Sequence, residues 1–418
     1  MKLEETTLGA VVARTGGSLQ TGPFGSQLHA SDYTTLGTPL VMPINLGDNE
    51  IREEGIARVG PKDVRRLRRH ALREGDIVFS RRGDVGRRSL IRPEYAGWLC
   101  GTGCLAAKFG SRLSEVNPAF VALYLGAARA QMWLTDNAVG GTMPNLNTGI
   151  LSAVPILLPS RKVQDAIVDA IDSAHSAATD LQRLIAKKQA IKQGIMQQLL
   201  AGRIRMGGFT EPWATSRLVD VTHRIGSGIT PRGGSAVYTH SGRPFVRSQN
   251  VGWGELRLDD LVFIDETTHS TFPATEIRVG DVLLNITGAS IGRAAVATSA
   301  LDGGNVNQHV CEIRVDPSRM NPDFVSAVLN SAIGQRQIDA YQAGGNRQGL
   351  NFQQVGSIRV PSISLAEQAL IAGVLLDFDD ELQTLRLRLT KARDIKTGMM
   401  QQLLTGRTRL SIPEGAAR

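Results

Sequence analysis

Residues 190–206 read AIKQGIMQQLLAGRIRM and residues 394–410 read DIKTGMMQQLLTGRTRL, with Ile, Lys, Gly, Met, Gln-Gln, Leu-Leu and Gly-Arg in the same order. The offset is 204 residues (395 − 191), a domain-sized period too long for a solenoid, so one structural unit is used twice. A helical stripe leads into each copy. Ile167, Ile171, Ala174, Ala178, Leu181 and Ile185 step by four, three, four, three and four, and Ile371, Leu375, Phe378, Leu382, Leu385 and Leu389 repeat those steps. That is the spacing of a coiled-coil seam. Small residues in one seam and bulky ones in the other predict that the two helices pack on each other, against the plainer arrangement in which each lies on its own domain.

A chain of 418 residues is too long for one core, and the duplication sets the number of domains at two. The sequence shows neither a signal peptide nor an apolar run long enough to span a bilayer, which leads to the expectation of a cytoplasmic protein. Cys100, Cys104 and Cys311 are odd in number and form no CxxC pair, which argues against a disulfide framework or a zinc site. The net charge of +8 suits a polyanionic partner. Arg65, Arg66, Arg68 and Arg69 form one run that reads equally as a solvated face. Arg81, Arg82, Arg87 and Arg88 bracket a glycine turn, which can present guanidinium groups to phosphates.

The two halves match along their length. Each opens with a Gly-rich, turn-bearing loop, residues 15–27 and 224–235. A short strand between loops follows, with shared Asn45/Asn250 and Gly47/Gly252. Residues 72–91 and 277–296 each read as a Gly-Asp turn, a strand, a second Gly-bounded turn and another strand, which is a β-hairpin. Asn117-Pro118 and Asn321-Pro322 open apolar-periodic stretches, so Asn is the expected N-cap and Pro the first helical residue. A Gly-Gly loop, an apolar strand and a Pro-containing link then lead into the long helix of each half. Residues 207–216 read as the linker between halves.

No convincing active site emerges. Gly288-Ala-Ser290-Ile-Gly292 fits GxSxG, but its flanks read as strand and strand, where a nucleophile elbow needs strand and helix. Asn-Pro-Ala-Phe and Asn-Pro-Asp-Phe lack the second Pro of the base-flipping amino-methyltransferase motif, and helix capping explains them better. Gly101-Thr-Gly103 before Ala106 is a lone GxGxxA without the strand-turn-helix context, and there is no GK[ST] phosphate loop.

Two variable globules, each with a Gly-Asp strand-turn, a Gly-Gly loop, a lead-in such as VPSISLAEQALI (360–371) and a long helix ending in K-x-G-x-M-Q-Q-L-L-x-G-R, resemble the DNA-specificity subunit of type I restriction-modification systems. The resemblance spans nearly the whole chain. It departs from the pattern at the first lead-in, PSRKVQDAI (159–167), which keeps Gln164 but lacks the Glu-Gln seen as Glu367-Gln368. It implies an α+β fold of two similar mixed α/β target-recognition globules joined by two long antiparallel helices. The corresponding bounds are 1–160 and 207–362 for the globules, 161–206 and 363–410 for the helices, and 411–418 for a tail. It further implies a non-catalytic subunit whose globules each read half of a bipartite, asymmetric duplex site. Two modification subunits that bind S-adenosylmethionine would dock alongside, joined by restriction subunits that use ATP and Mg. This chain itself would hold no cofactor or metal. A coiled-coil scaffold with protein-binding globules and a standalone DNA methyltransferase are the competing readings.

Polar residues on the paired turns are the expected DNA contacts: Gln27, Asn45, Arg81, Arg82, Arg87, Asn145 and Asn147 in half one, and Arg247, Gln249, Asn250, Thr287, Arg293, Arg347 and Gln348 in half two. Shared Asn45/Asn250 and Asn147/Asn351 also read as structural turn residues. The repeated helix ends, Met196, Gln197, Gln198, Leu199 and Leu200 with Met400, Gln401, Gln402, Leu403 and Leu404, are the expected docking surfaces for two partner copies. A helix from Gln164 to Gly202 would be just under about 60 Å long and would set the gap between half-sites.

Overall fold

Gly75-Asp76 and Gly280-Asp281 start the central hairpin of each half. Both glycines take positive φ, 85° and 88°, where a side chain would be strained. The buried aspartates close the turn by accepting from the backbone N–H of Arg73 (2.9 Å) and Arg278 (2.6 Å). In the computed structural model the described residues are 3–24, 27–141, 143–342, 349–408 and 410. They fall into two compact units, one of Met1–Leu181 with Arg388–Arg418 and the other Gln182–Leu387.

In the first unit the hairpin Ile77–Ser80/Arg88–Leu90 belongs to an antiparallel sheet in the spatial order Ser18–Thr21, Cys104–Lys108, Ile77–Ser80, Arg88–Leu90. Alternation along the strand splits its side chains between two cores. Ile77 and Phe79 join Phe120, Val121 and Leu125 from the helical side, while Val78 joins Val41, Cys104 and Ala106. A second small sheet orders Tyr33–Thr34, Arg58–Val59, Thr38–Val41 and Leu99–Cys100, and its last pair is parallel.

The second unit repeats the plan. Its sheet runs Thr222–Ser227, Val310–Val315, Val282–Asn285, Ala294–Val296, with Val282 and Leu284 facing Phe324 and Val325, and Leu283 facing Val246 and Val306. Both hairpins and both Asn-Pro caps form as the sequence indicates. Asn117 accepts from the N–H of Ala119 and Phe120, and Asn321 from that of Phe324.

The Gly-rich openings differ from their reading as loops, because each contains a strand: Ser18–Thr21 lies inside the first and Thr222–Ser227 runs into the second. The glycines there serve close backbone approach. A Cβ on Gly17 would lie 2.0 Å from the Lys108 carbonyl oxygen, one on Gly22 2.0 Å from that of Gly101, and one on Gly228 1.5 Å from that of Val306. The linker ends early for a related reason, since Ala214–Arg217 is already a strand paired with Arg359–Ser362.

The long helices are Arg161–Leu200 and Leu365–Leu403. Their first seam residues serve the globules: Ile167 and Ile171 complete the first unit's core, Ile371 and Leu375 the second's. A glutamine ties each helix start to its globule. Gln164 accepts from Asn117 N–H (2.7 Å) and donates to the carbonyls of Glu115 and Pro159, and Gln368 does the same with Asn321 (2.8 Å), Arg319 and Ile363. The departure at the first lead-in therefore leaves the joint intact. Glu367 has a separate partner, a two-pronged ion pair with Arg205.

Within the second unit the two helices run antiparallel, with ion pairs Lys188–Glu381 (2.8 Å) and Lys192–Asp379. Within the first, Lys396 reaches His175. The last turns enter the cores: Leu199 and Leu200 are buried among Leu218, Phe324 and Ile371 of the second unit, and Leu403 and Leu404 within the core of the first.

Candidate nucleic-acid interface

In half one the strand Ile77–Ser80 delivers Arg81 and Arg82 into a turn that is sewn to the loop before the helix Thr148–Ala153. Leu146 N–H donates to the Arg81 carbonyl (2.8 Å), Gly83 N–H to that of Pro144 (3.1 Å), and Arg81 N–H to that of Gly103 (2.8 Å). Arg81 and Asn145, 64 residues apart, meet directly through Arg81 Nε to Asn145 Oδ1 at 3.3 Å. Arg82 is exposed, and its side chain has no partner among the described residues. Arg87 is paired with Asp84 (2.7 Å). Gln27 Oε1 accepts from Phe24 N–H, which holds its own loop. Of the neighbouring arginine run, Arg65 and Arg68 are exposed, while Arg66 is tied to Asp63 (2.6 Å).

Half two makes the same junction. Thr287 bridges to Gly349 as Arg82 does to Asn145, and Leu350 N–H donates to the Ile286 carbonyl (2.8 Å). Different side chains occupy it: Thr287 Oγ1 contacts His309 Nδ1, and His309 Nε2 contacts Gln308 Nε2 at 2.8 Å. Nearby, Asp260 gathers Arg247 and Gln249, and Arg247 also lies 5.7 Å from the Tyr238 ring. Arg293 lies 6.0 Å from the half-exposed Trp253 ring. Arg347 and Gln348 lie outside the described residues.

Several of the expected contacts have their side chains engaged in turns, caps or cores. Asn45 and Asn250 are buried; each accepts from a backbone N–H three residues back, of Met42 and Arg247, and donates to a carbonyl seven residues on, of Arg52 and Arg257. Their amides are consumed by their own loops. Asn147 caps the helix Thr148–Ala153 by accepting from Ile150 N–H, as Asn351 caps Phe352–Ser357. Arg88 is buried and reaches Asp48 (2.7 Å) and the Ala122 carbonyl (2.6 Å), so of the four arginines around that turn it is a core residue. At the helix ends Leu199, Leu200, Leu403 and Leu404 are taken up by cores, because a terminal apolar pair needs burial and each unit offers it. Gln197, Gln401 and Gln402 remain exposed, with Met196, Gln198 and Met400 half-buried.

The residues not anticipated are Asp260, Gln308 and His309. The last two occupy the three-residue connection 307–309, which in half one is Gly101-Thr102-Gly103 and there carries neither an imidazole nor a carboxamide. Among the described residues no three or more His, Cys, Asp or Glu are grouped to hold a metal ion, and no helix is long and apolar enough to cross a membrane. The three thiols are buried, and desolvation pushes Cys100 and Cys311 up to about 12.

Two mixed α/β units of one design, each presenting a junction of loops, define a duplicated α/β protein. Residues 65–193 match the type I restriction modification DNA specificity domain. The chain is 20% identical over 313 residues to the type I restriction enzyme MjaVIII specificity subunit of Methanocaldococcus jannaschii, covering 72% of this chain and 73% of that one. It is 22% identical over 207 residues to the MjaX specificity-subunit homologue of the same organism, a match that spans 49% of this chain and about half (48%) of the relative. In fold it is similar to the type I restriction-modification S subunit from M. genitalium, with a TM-score of 0.61 at 14% identity over 99% of this chain and 97% of that one. It is also similar to a chain from a structural study of complex assembly in the type I system, with a TM-score of 0.58 at 17% identity over 96% and 97%. In sequence over residues 65–193, and in fold over nearly its whole length, the chain is similar to specificity subunits of type I restriction-modification systems.

Proposed function

We propose that this chain is the sequence-reading subunit of a type I restriction-modification complex, each globule reading one half of a bipartite, asymmetric DNA site. The observation that carries this reading is the twice-built junction. The same backbone bridges join the hairpin turn to the loop before the last short helix, while the side chains differ, with Arg81, Arg82 and Asn145 in one half and Thr287, Gln308 and His309 in the other. A shared frame with different polar tips is what reading two different half-sites requires, because base identity is carried by the donor and acceptor pattern met at the groove edge. The long helices act as a ruler, each roughly 60 Å for its forty or so residues. Exposed Gln197, Gln401 and Gln402 contribute to the surfaces on which two modification subunits dock. The chain itself performs no chemistry and holds no cofactor. S-adenosylmethionine belongs to the modification partner, and ATP with Mg to the restriction partner.

The test is selection from a randomised duplex pool by the full chain with its modification partner, at two salt concentrations. Two motifs at a fixed gap are expected, with affinity that falls steeply as salt rises. Enrichment without sequence preference, or binding indifferent to salt, would overturn the reading.

A further inference from the structure

We infer that Gln308 reads an adenine in the half-site of the second globule, and that His309 and Thr287 hold its amide in the reading orientation. This rests on the DNA-reading function proposed above and names one base and one residue within it.

A carboxamide nitrogen can only donate, so the 2.8 Å contact between Gln308 Nε2 and His309 Nε2 makes the ring nitrogen the acceptor. Nδ1 is then the ring's N–H, and it donates to Thr287 Oγ1. Further bonds hold the imidazole's backbone: His309 N–H donates to Asn307 Oδ1 (3.0 Å), and the His309 carbonyl accepts from Ile286 N–H (3.0 Å). The chain from Thr287 through His309 thus uses one amide hydrogen of Gln308 and fixes the plane of its side chain. Gln308 is exposed, and among the described residues its Oε1 and second amide hydrogen have no partner. One acceptor and one donor, side by side on a fixed plane, match adenine, whose N6–H donates and whose N7 accepts in the major groove. A guanine offers two acceptors there and would face Oε1 with a repulsive contact.

The first globule supplies a contrast. At the equivalent connection it has Gly101-Thr102-Gly103, and the polar groups at its junction come from Arg81, Arg82 and Asn145. A carboxamide held by an imidazole on this connection is therefore particular to the second half.

The experiment selects duplexes from a pool randomised at both half-sites, using the full chain with its modification partner, as wild type, Gln308→Ala, Gln308→Arg and His309→Ala. Gln308→Ala is expected to lose roughly 5- to 150-fold preference for adenine at a single position of one half-site, with every other position unchanged. Gln308→Arg is expected to move that position toward guanine, and His309→Ala to weaken the adenine preference without replacing it. An unchanged profile for Gln308→Ala would overturn the inference while leaving the two-half-site reading in place. A uniform loss at all positions would do the same, since it marks a phosphate contact. A wild-type chain that selects no motif would remove the underlying function, and the inference with it. Equal thermal denaturation of the exposed-site variants keeps a folding defect from imitating any of these results.

Discussion

The two halves solve one packing problem with opposite residues. Beside the hairpin in half one, Arg88 spreads its guanidinium over Gly126, where a Cβ would lie 1.7 Å from Nη2. In half two the arginine's place is Ala294, and Asn330, in the place of Gly126, exchanges two hydrogen bonds with the Ala294 backbone (3.0 and 2.7 Å). One helix turn further on the halves agree almost atom for atom: Gln131 and Gln335 donate to the carbonyls of Gly86 and Gly292, and to those of Leu125 and Leu329. The lesson is that the frame is kept by polar side chains bonded to backbone, while apolar and long charged residues trade volume in compensating pairs.

The largest effect expected concerns the helix ends. Leu199→Asp should destabilise the second unit, and Leu403→Asp the first, by about 4 to 5 kcal/mol, because each places an unpaired carboxylate in a core. Hydrogen exchange would show strand 282–285 opening in the former and strand 77–80 in the latter. The opposite assignment, or no loss in either, would break the picture of ends embedded in these cores.

Gln164→Leu and Gln368→Leu should cost about 2 to 4 kcal/mol each, since each strands one buried donor and two carbonyls. Denaturant titration monitored in each unit would show similar losses if the two joints are one device, and unequal losses if they are not.

Gly126→Asn alone should cost about 1 to 3 kcal/mol by colliding with Arg88, and adding Arg88→Ala should recover part of it, imitating the Asn330/Ala294 pair. Strict additivity in the double-mutant cycle would show that the exchange is not compensatory.

The smallest effect is the pH dependence contributed by Glu312, a carboxylate that half one lacks at this position. Glu312, with Ala106 in its place in half one, is pushed up to about 7 by burial and by neighbouring Asp281, against the pull of Arg314 and Arg224. Its folded value lies above the ordinary carboxylate value of 4.5, so the native state holds the proton more tightly and the second unit loses stability as pH rises from about 4.5 to 7. Glu312→Gln should flatten that decline when unit two is followed by thermal denaturation at pH 5 and pH 8. An unaltered decline would place its origin elsewhere.

Much of this frame is legible in the sequence because its signals are local. Asn117-Pro118 and Asn321-Pro322 announce their caps, Gly75-Asp76 and Gly280-Asp281 their turns, and the 204-residue offset the duplication. What escapes is long-range. An apolar terminal turn such as Leu199-Leu200 looks the same whether it meets a partner protein or a core residue such as Phe324, more than a hundred positions away. Gln308 and His309 escape for a different reason: repeat comparison rewards shared residues, and the first half has Thr102 and Gly103 there. The shared Asn45 and Asn250 drew attention for the same reason, and their identity reflects a common turn.

On the function proposed above, one frame built twice carries two independent sets of base-reading side chains. The direct measurement is pool selection by the full chain with its modification partner, comparing Arg81→Ala/Arg82→Ala with Gln308→Ala. The first variant is expected to alter base preference only in one half-site and the second only in the other, with the gap between them unchanged. Alteration of the same half-site by both, or a uniform fall at every position, would contradict it.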